Sequence, residues 1–553
     1  MLLKNHQFNK ISLISNRFNL LKSKTISSIN EFFKSELILY NTNNTINTNN
    51  TINANNDKSY INIENNSNKF FNSIKLKNYD KLNTVMDKIN DNTIDNTIHD
   101  NLNNNKLITI NNNNNNKLKI NTIDSTTPLN TGKKKLVILG SGWGGARLAR
   151  DIDCKNIYDL TIISSKNHMV FTPLLASSCV GTVHNQSVIE NIRHIQPGLR
   201  APENHFYLAY AENIDFDNNI IECVSSNNKK FHIGYEKLVI ATGGTPLTFN
   251  IPGVDKYTYF LKNLDDSIKI RKKLLENICL AGIPNIKIED RNKLLHFVIV
   301  GGGPTGVEFA SELSNFINED MSSYNPRIKT SAKITLIEGN EVLNSFDKKL
   351  SSYAIQKLID AGVYIKKAQV SKINETNIEL NDGSIMDYGM CVWSTGIGST
   401  QFVDKLKLKK SKNGRIIVDD TLRVFNNDNT INNNVYALGD ACINEKNPLP
   451  PLAQVAEQQG KHLAYYLNNI ELKNINKNNN DKFKYNHLGS MVSLTTGDGI
   501  LEIGNSKKIK FTGLTSWITW RSAYLTKLQS SKNKINILSQ WIGTYIKGRE
   551  IGF

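Results

Sequence analysis

Two glycine-rich turns, each set between a short β-branched strand and a helix, limit what this chain can fold into. The better formed lies within residues 294–340, LLHFVIVGGGPTGVEFASELSNF…SAKITLIEGN. Leu295–Val300 is a short apolar run of the kind that makes a buried parallel strand. Gly301, Gly303 and Gly306 follow with G-x-G-x-x-G spacing. The first allows the tight turn, the second lets a pyrophosphate approach the backbone, and the third lets helix and strand pack closely. A helix is expected over Thr305–Asn318, its N-terminus offering N–H groups and a positive dipole end to phosphate. The next strand, Lys333–Ile337, ends at Glu338. An acid there accepts hydrogen bonds from both ribose hydroxyls of an adenosine and repels a 2′-phosphate, so the pattern predicts a site for NAD(H) rather than NADP(H).

The second copy lies upstream, in KKKLVILGSGWGGARLARDI. A strand at Leu136–Leu139 leads into Gly140, Gly142 and Gly145, then a helix. The following strand, Asp159–Ile163, ends on Ser164, Ser165 and Lys166 where an acid would normally hold a ribose. A pyrophosphate still fits, but the ribose contact falls to a hydroxyl or a backbone group. Next comes Phe171-Thr172-Pro173-Leu174-Leu175, whose rigid proline before two leucines suits a wall against a flat ring or a core-packing turn equally well. A helical stretch is expected at Ser187–His194, with Arg193 and His194 in packing or solvation. Residues 206–240 read as a β-meander, and a strand at Lys237–Ala241 ends in Thr242-Gly243-Gly244, a turn that lets backbone lie against a nucleotide.

The downstream unit repeats this plan. A helix at Asp347–Ala361 and a hairpin turn at Asn381–Ser384 precede a strand at Met390–Trp393 that ends in Ser394-Thr395-Gly396. A later strand from Asn434 ends in Gly439-Asp440. That acid can accept from a ribityl hydroxyl or cap the next helix. The helix Leu452–Asn468 carries Gln454 and Gln458, four apart on one face, where they can meet a carbonyl ligand or solvent.

At 553 residues the chain needs two or three domains. Its six cysteines form no C-x-x-C pair, which argues against a disulfide scaffold, a zinc ribbon or a dithiol site. The net charge of +17 suits an anionic neighbour, and its lysines are spread along the chain. On charge alone an anionic membrane surface is as natural a partner as nucleic acid, and of the two only the membrane surface is expected as a partner of the whole chain. Residues 1–30 carry Lys4, Lys10, Arg17, Lys22 and Lys24 with no acid before Glu31, a composition that suits a mitochondrial transit peptide, with a disordered basic tail as the alternative. Residues 41–130 are an Asn-rich tract with too few large apolar side chains to offset ordering entropy, so no fold is expected there. In the tail, Trp517, Trp520, Tyr524, Leu525 and Leu528, then Ile535, Leu538, Trp541, Ile542 and Tyr545, recur at helical spacing among basic residues. No run is long enough to span a bilayer. Aromatic and basic amphipathic helices suit a membrane interface. A helix pair covering the chain's own core, or the partner of a homodimer, stays open as an alternative.

With these motifs placed, the chain from Lys133 to Phe553 resembles the type II (alternative, rotenone-insensitive) NADH:quinone oxidoreductases, especially the mitochondrial single-subunit members. The resemblance rests on LVILGSGWGGARLAR, FTPLL, ATGG, VIVGGGPTGVEFASEL, ITLIEGN, VYALGDAC, AQVAEQQG and SWITWRSAYL. It implies an α/β fold of two Rossmann-like dinucleotide-binding domains with a C-terminal amphipathic anchor, peripheral on the mitochondrial inner membrane. The expected division is 1–40 transit peptide, 41–132 Asn-rich segment, 133–262 and 401–475 FAD domain, 263–400 NADH domain and 476–553 anchor. It implies non-covalent FAD held by Gly140, Gly142 and Gly145, with Ser164, Thr172, Pro173, Thr242, Gly243, Asp440 and Ala453 around it. Gly301, Gly303, Gly306, Glu308 and Glu338 would hold NADH, and Gln454 and Gln458 match glutamines at the quinone site. The implied activity is hydride transfer from NADH to FAD, then two electrons to ubiquinone, without proton pumping. No D-x-D-x-D-G-x₅-E loop occurs, so no calcium or other metal is expected. Two other readings share the fold: a sulfide:quinone oxidoreductase, which would need a redox pair such as Cys179 and Cys391, and a non-catalytic NADH-sensing flavoprotein.

Overall fold

The computed structural model describes residues 107–112, 118–123, 131–321, 325–471, 482–503, 509–549 and 551. The basic N-terminal segment and most of the Asn-rich tract lie outside them. The chain divides into two units, Met1–Pro128 and Leu129–Phe553. In the first, Leu107–Asn112 and Leu118–Ile123 pair as an antiparallel hairpin. This corrects the expectation of no fold across the whole tract. Leu-Ile-Thr-Ile and Leu-Lys-Ile-Asn-Thr-Ile are β-prone stretches either side of an Asn-rich connection, which is enough to specify a local ladder.

In the second unit the described elements run as follows. β1 is Lys134–Leu139, α1 Trp143–Asp151, β2 Tyr158–Ser164, β3 His205–Asp215, β4 Ile220–Ser225, β5 Lys230–Gly234 and β6 Lys237–Ile240. β7 is Tyr259–Phe260, α2 Leu264–Ala281, β8 His296–Val300, α3 Pro304–Asn315, β9 Lys333–Glu338, α4 Lys348–Asp360, β10 Val363–Lys367 and β11 Met390–Trp393. β12 is Arg423–Phe425, β13 Ile431–Ala437, α5 Ala453–Glu471, β14 Ser490–Ser493, β15 Gly499–Ile503, β16 Ile509–Thr512, α6 Leu514–Lys527 and α7 Ser531–Lys547.

Two sheets organise these elements. The first has the order β12-β13-β6-β1-β2-β3-β4-β5, parallel from β13 to β3 and antiparallel at both edges. Its meander β3-β4-β5 is the one the alternating sequence predicts. The second, β7-β11-β8-β9-β10, is parallel throughout. All five residues of β8 are buried, as a strand covered on both faces requires. The chain leaves the first sheet after β6, builds the second, and returns at β12, so residues far apart in sequence close one nucleotide domain.

Ser187–His194 is not one helix. It splits into a short 3-10 turn at Asn185–Val188, a strand at Ile189–Asn191 and a helical turn at Ile192–Ile195. The β-branched pair Val188-Ile189 favours extended pairing, here with His168–Val170. The tail folds as a three-stranded antiparallel sheet, β14-β15-β16, followed by α6 and α7. Among the described residues no helix is long and apolar enough to cross a membrane.

Candidate functional site

The two glycine loops have the same geometry. Gly140 has φ +108° and Gly301 φ +113°, conformations that side chains resist. A Cβ on Gly145 would stand 2.1 Å from the Gly140 carbonyl oxygen, and one on Gly306 would stand 1.9 Å from that of Gly301. The middle glycines differ: a Cβ on Gly142 or Gly303 would meet nothing within 4 Å, because each faces open space above the loop. Gly142 and Gly303 are also the N-caps of α1 and α3, which have no side-chain cap and no acid in the first turn. Both helix starts therefore present N–H groups and dipole to a phosphate without a competing carboxylate.

The acids at the strand ends separate the loops. Glu338 ends β9 and curls back on its own loop, accepting from the Gly302 amide at 2.7 Å and the Asn340 amide at 2.7 Å. It is thereby fixed at the rim of the second loop, where a ribose would meet it. At the first loop Ser164 is buried with its hydroxyl 2.9 Å from that of Ser141. Ser141, inside the glycine turn, also donates toward the carbonyls of Lys166 and His168. The hydroxyl pair ties the turn to the end of β2, a role the sequence reading did not assign to Ser141.

Several expected flavin contacts gather around the first loop. Thr172 and Pro173 lie in a 3-10 turn, and Thr172 Oγ1 accepts from the indole of Trp143 at 3.1 Å. Thr242 and Gly243 follow β6, with Gly243 at φ +70°. The Thr242 hydroxyl is buried and has no hydrogen-bond partner. Asp440 follows β13 in a 3-10 turn, and a Cβ on Gly244 would stand 3.4 Å from its Cβ. Lys262 Nζ approaches Asp440 Oδ2 at 3.6 Å. Arg415 donates to the carbonyls of Asp440 and Gly439, and the Gln459 side-chain oxygen accepts from the Gly439 amide at 2.7 Å. Lys262, Arg415 and Gln459 all escaped the sequence reading. Gln459 is the buried neighbour of the glutamines that were singled out, about 100° further round the helix. An open glycine cradle and an orphaned buried hydroxyl, with Asp440 close by, fit a flavin nucleotide.

Gln454 and Gln458, expected at the quinone site, both hydrogen-bond to backbone. Gln454 donates to the Gly489 carbonyl at 3.2 Å and accepts from the Leu488 amide at 3.1 Å. Gln458 donates to the Asn486 carbonyl at 2.8 Å and accepts from the Asn486 amide at 3.0 Å. Both side-chain amides thus act as backbone mimics that clamp the segment leading into β14. Ala453 opens α5, half-buried.

Glu308 also stands apart from its loop. It lies two positions after Gly306, about 200° round α3, and its carboxyl is buried under the tail. Oε1 accepts from the Ser493 amide at 3.2 Å and the Trp520 indole at 3.1 Å. Burial pushes its carboxyl up to about 8. Trp520 packs on Tyr524 with centroids 4.6 Å apart, Tyr524 on Phe171 at 5.6 Å, and Phe171 on Trp143 at 5.2 Å. Helix α6 therefore bridges the second glycine helix to the turn beside the first loop. Trp520, Leu528 and Trp541, for which a membrane-facing stripe and a cover over the chain's own core were both open, are 3%, 5% and 4% exposed. The exposed apolar residues of α7 are Ile535, Leu538, Ile542, Tyr545 and Ile546.

All six cysteines are free thiols, and Cys179 and Cys391 belong to separate hydrophobic clusters. The geometry offers no redox pair. Among the described residues no three His, Cys, Asp or Glu side chains group as a metal site.

Comparison with known proteins places this geometry. Residues 134–460 match the pyridine nucleotide-disulphide oxidoreductase family, and residues 487–550 match the NDH2 C-terminal domain. The chain is 44% identical over 441 residues to the internal alternative NAD(P)H-ubiquinone oxidoreductase A1, mitochondrial, of Solanum tuberosum, covering 76% of this chain and 88% of that protein. It is 33% identical to the external NADH-ubiquinone oxidoreductase 2, mitochondrial, of Saccharomyces cerevisiae, covering 76% and 82%. The solved structure of NDH2 from Plasmodium falciparum in complex with NADH superposes with a TM-score of 0.70 at 27% identity, covering 76% of this chain and all of that one. A sulfide:quinone oxidoreductase from Aquifex aeolicus, at 18% identity and TM-score 0.55, shares the fold. The chain belongs to the type II, or alternative, NADH:quinone oxidoreductases, within the pyridine nucleotide-disulphide oxidoreductase family.

Proposed function

We propose that this protein is an FAD-dependent, non-proton-pumping NADH:ubiquinone oxidoreductase, peripheral on the mitochondrial inner membrane. The observation that carries the reading is the pair of similarly built glycine loops in one chain, one with an acid at the end of its second strand and one without. Gly140, Gly142 and Gly145 would hold the FAD pyrophosphate, and Ser164, Thr172, Pro173, Thr242, Gly243, Asp440 and Ala453 would line the flavin. Gly301, Gly303, Gly306 and Glu338 hold NADH. When bound, FAD supplies the two-electron chemistry that links a hydride donor to a quinone.

The chain's own residues bind, orient and exclude water. Glu338 presents its carboxylate to an adenosine ribose and repels a 2′-phosphate. Thr172, steadied by Trp143, and Thr242 would line the flavin. Trp520 and Tyr524 close the space between α3 and Phe171. Glu308, neutral at pH 7, keeps a proton beneath Trp520.

The α7 stripe of Ile535, Leu538, Ile542, Tyr545 and Ile546 supports docking on a membrane, with Lys534 and Lys547 alongside for anionic headgroups. A second copy of the chain is the competing occupant of that stripe, and sedimentation in detergent-free buffer against vesicle flotation separates the two. Steady-state oxidation of NADH by a soluble ubiquinone tests the activity. Purified flavoprotein that oxidises NADH only with oxygen, and no faster with quinone, contradicts it.

A further inference from the structure

We propose that Phe249 is a wall of the NADH site, its ring set against the nicotinamide half of the bound dinucleotide. This deepens the NADH reading above and rests on it. The turn at residues 248–251 has a sequence ill suited to its conformation. The Ile251 amide donates to the Thr248 carbonyl at 3.0 Å, and the two residues between them, Phe249 and Asn250, have φ +54° and +56°. A turn with both central residues at positive φ calls for Asn-Gly or Asp-Gly, because a Cβ there crowds the following carbonyl oxygen. Asn250 tolerates that conformation, whereas a bulky aromatic at position 249 is strained. Backbone strain of this kind persists only where its surroundings over-determine it, and it gathers at ligand clamps.

The surroundings of Phe249 do hold it. Thr245–Pro246, just upstream, pairs antiparallel with Ile397–Gly398, and the Thr245 hydroxyl donates to the Ser399 carbonyl at 2.6 Å. The Leu247 amide donates to the Gly396 carbonyl at 3.2 Å, and the Trp393 indole donates to the Leu247 carbonyl at 3.0 Å. The pinned loop lays the Phe249 ring against the Ser394-Thr395-Gly396 end of β11: a Cβ on Gly396 would stand 2.9 Å from Phe249 Cζ. The same turn abuts the second glycine loop, since a Cβ on Gly301 would stand 2.9 Å from that of Thr395. Phe249 is nevertheless 53% exposed, so packing within the chain uses only part of its ring.

The order of strands says which half of the ligand the ring meets. β9 and β11 flank β8 on opposite sides. With the adenosine ribose on Glu338 at the end of β9, a dinucleotide laid across the β8 loop sends its other half over the end of β11. That half is the nicotinamide with its ribose, and Phe249 is an exposed aromatic ring on that side. It offers the nicotinamide riboside a face to pack on and keeps water from it.

The test measures binding rather than turnover, on the FAD-loaded protein. Isothermal titration gives Kd for NAD⁺, which binds without reducing the flavin, and for AMP, which carries only the adenosine half. Wild type, Phe249→Gly and Phe249→Tyr are compared. Phe249→Gly is expected to weaken NAD⁺ by ~10-fold, the scale of one lost aromatic packing partner, and to leave AMP unchanged. Phe249→Tyr keeps the ring and should keep the NAD⁺ affinity. The melting temperature of Phe249→Gly should hold or rise, because glycine takes positive φ without strain. A wild-type NAD⁺ affinity in Phe249→Gly, or an equal loss for NAD⁺ and AMP, overturns the proposal. Wild-type protein that binds neither nucleotide sinks the NADH reading itself.

Discussion

The Trp520 indole donates to the buried carboxyl of Glu308 across 3.1 Å, joining the C-terminal helix pair to the helix that follows the second glycine loop. This bond makes the tail part of the catalytic body. It also carries a pH signature. Burial raises Glu308 from 4.5 to about 8, so between those values the folded state keeps a proton that the unfolded state has released. A raised pKa gives stability that is full below the unfolded value and is lost as pH rises through the folded one. Glu308→Gln keeps an acceptor for both bonds and removes the titration. Its melting temperature is expected to match wild type near pH ~4 and exceed it near pH ~9. Parallel melting curves across that range contradict this.

Glu338 fixes the nucleotide preference. Glu338→Gln removes the charge that repels a 2′-phosphate while keeping an acceptor for the Gly302 amide. The KM for NADPH should fall and the KM for NADH rise, at little change in kcat. Equal shifts for both nucleotides would place the acid away from the ribose.

Gln454 and Gln458 each make two hydrogen bonds to the backbone at residues 486–489. Replacing either with Ala loses both bonds at positions where water can pair the freed backbone groups, a loss of about 0.5–1.5 kcal/mol per bond at most. The measurements are urea unfolding and limited proteolysis, with cleavage expected near residues 482–489. If stability is kept and only the quinone KM rises, the amides turn toward a quinone carbonyl instead.

Parts of the site are legible in the sequence and parts are not. Strand, glycine turn, helix and acid are local signals, each dictated by sterics within a few residues, so both loops were legible from spacing alone. Strand β11 was legible too, because the short apolar run Met-Cys-Val-Trp is bounded by Gly389 and by Ser394-Thr395-Gly396. What spacing could not show was direction across the fold. Glu308 shares a helix with Gly306 but points about 200° away from it. Trp520 and Trp541 share helical periodicity with Ile535 and Ile542, and only the docking of α6 and α7 decides which face turns inward. Lys262 sits at a domain crossover, where its partner Asp440 is supplied by a strand well over a hundred residues later in the chain.

Arg549 anchors the far end of the tail. Its side chain is 4% exposed, with Nη1 2.6 Å from Asp320 and Nε donating to Thr182 at 2.8 Å. Arg549→Met strands Asp320 without its cation, and breaking such a buried pair costs about 3–5 kcal/mol. Urea unfolding should show the loss, and an unchanged midpoint would mean the tail is held elsewhere.

Ile542→Glu with Ile546→Glu places two charges on the exposed face of α7, away from the buried Ile537 and Trp541. Flotation with vesicles should fall sharply, with NADH oxidation by a soluble quinone preserved. Retained flotation would move the membrane contact off α7.

The proposed enzyme takes electrons from NADH on FAD and passes them to a quinone. The direct measurement is the flavin spectrum of the purified protein under anaerobic conditions. NADH is expected to bleach the flavin band and a soluble ubiquinone to restore it, with a stoichiometry of one NADH and one quinone per flavin cycle. A protein that carries no flavin, or whose reduced flavin is indifferent to quinone, contradicts the account.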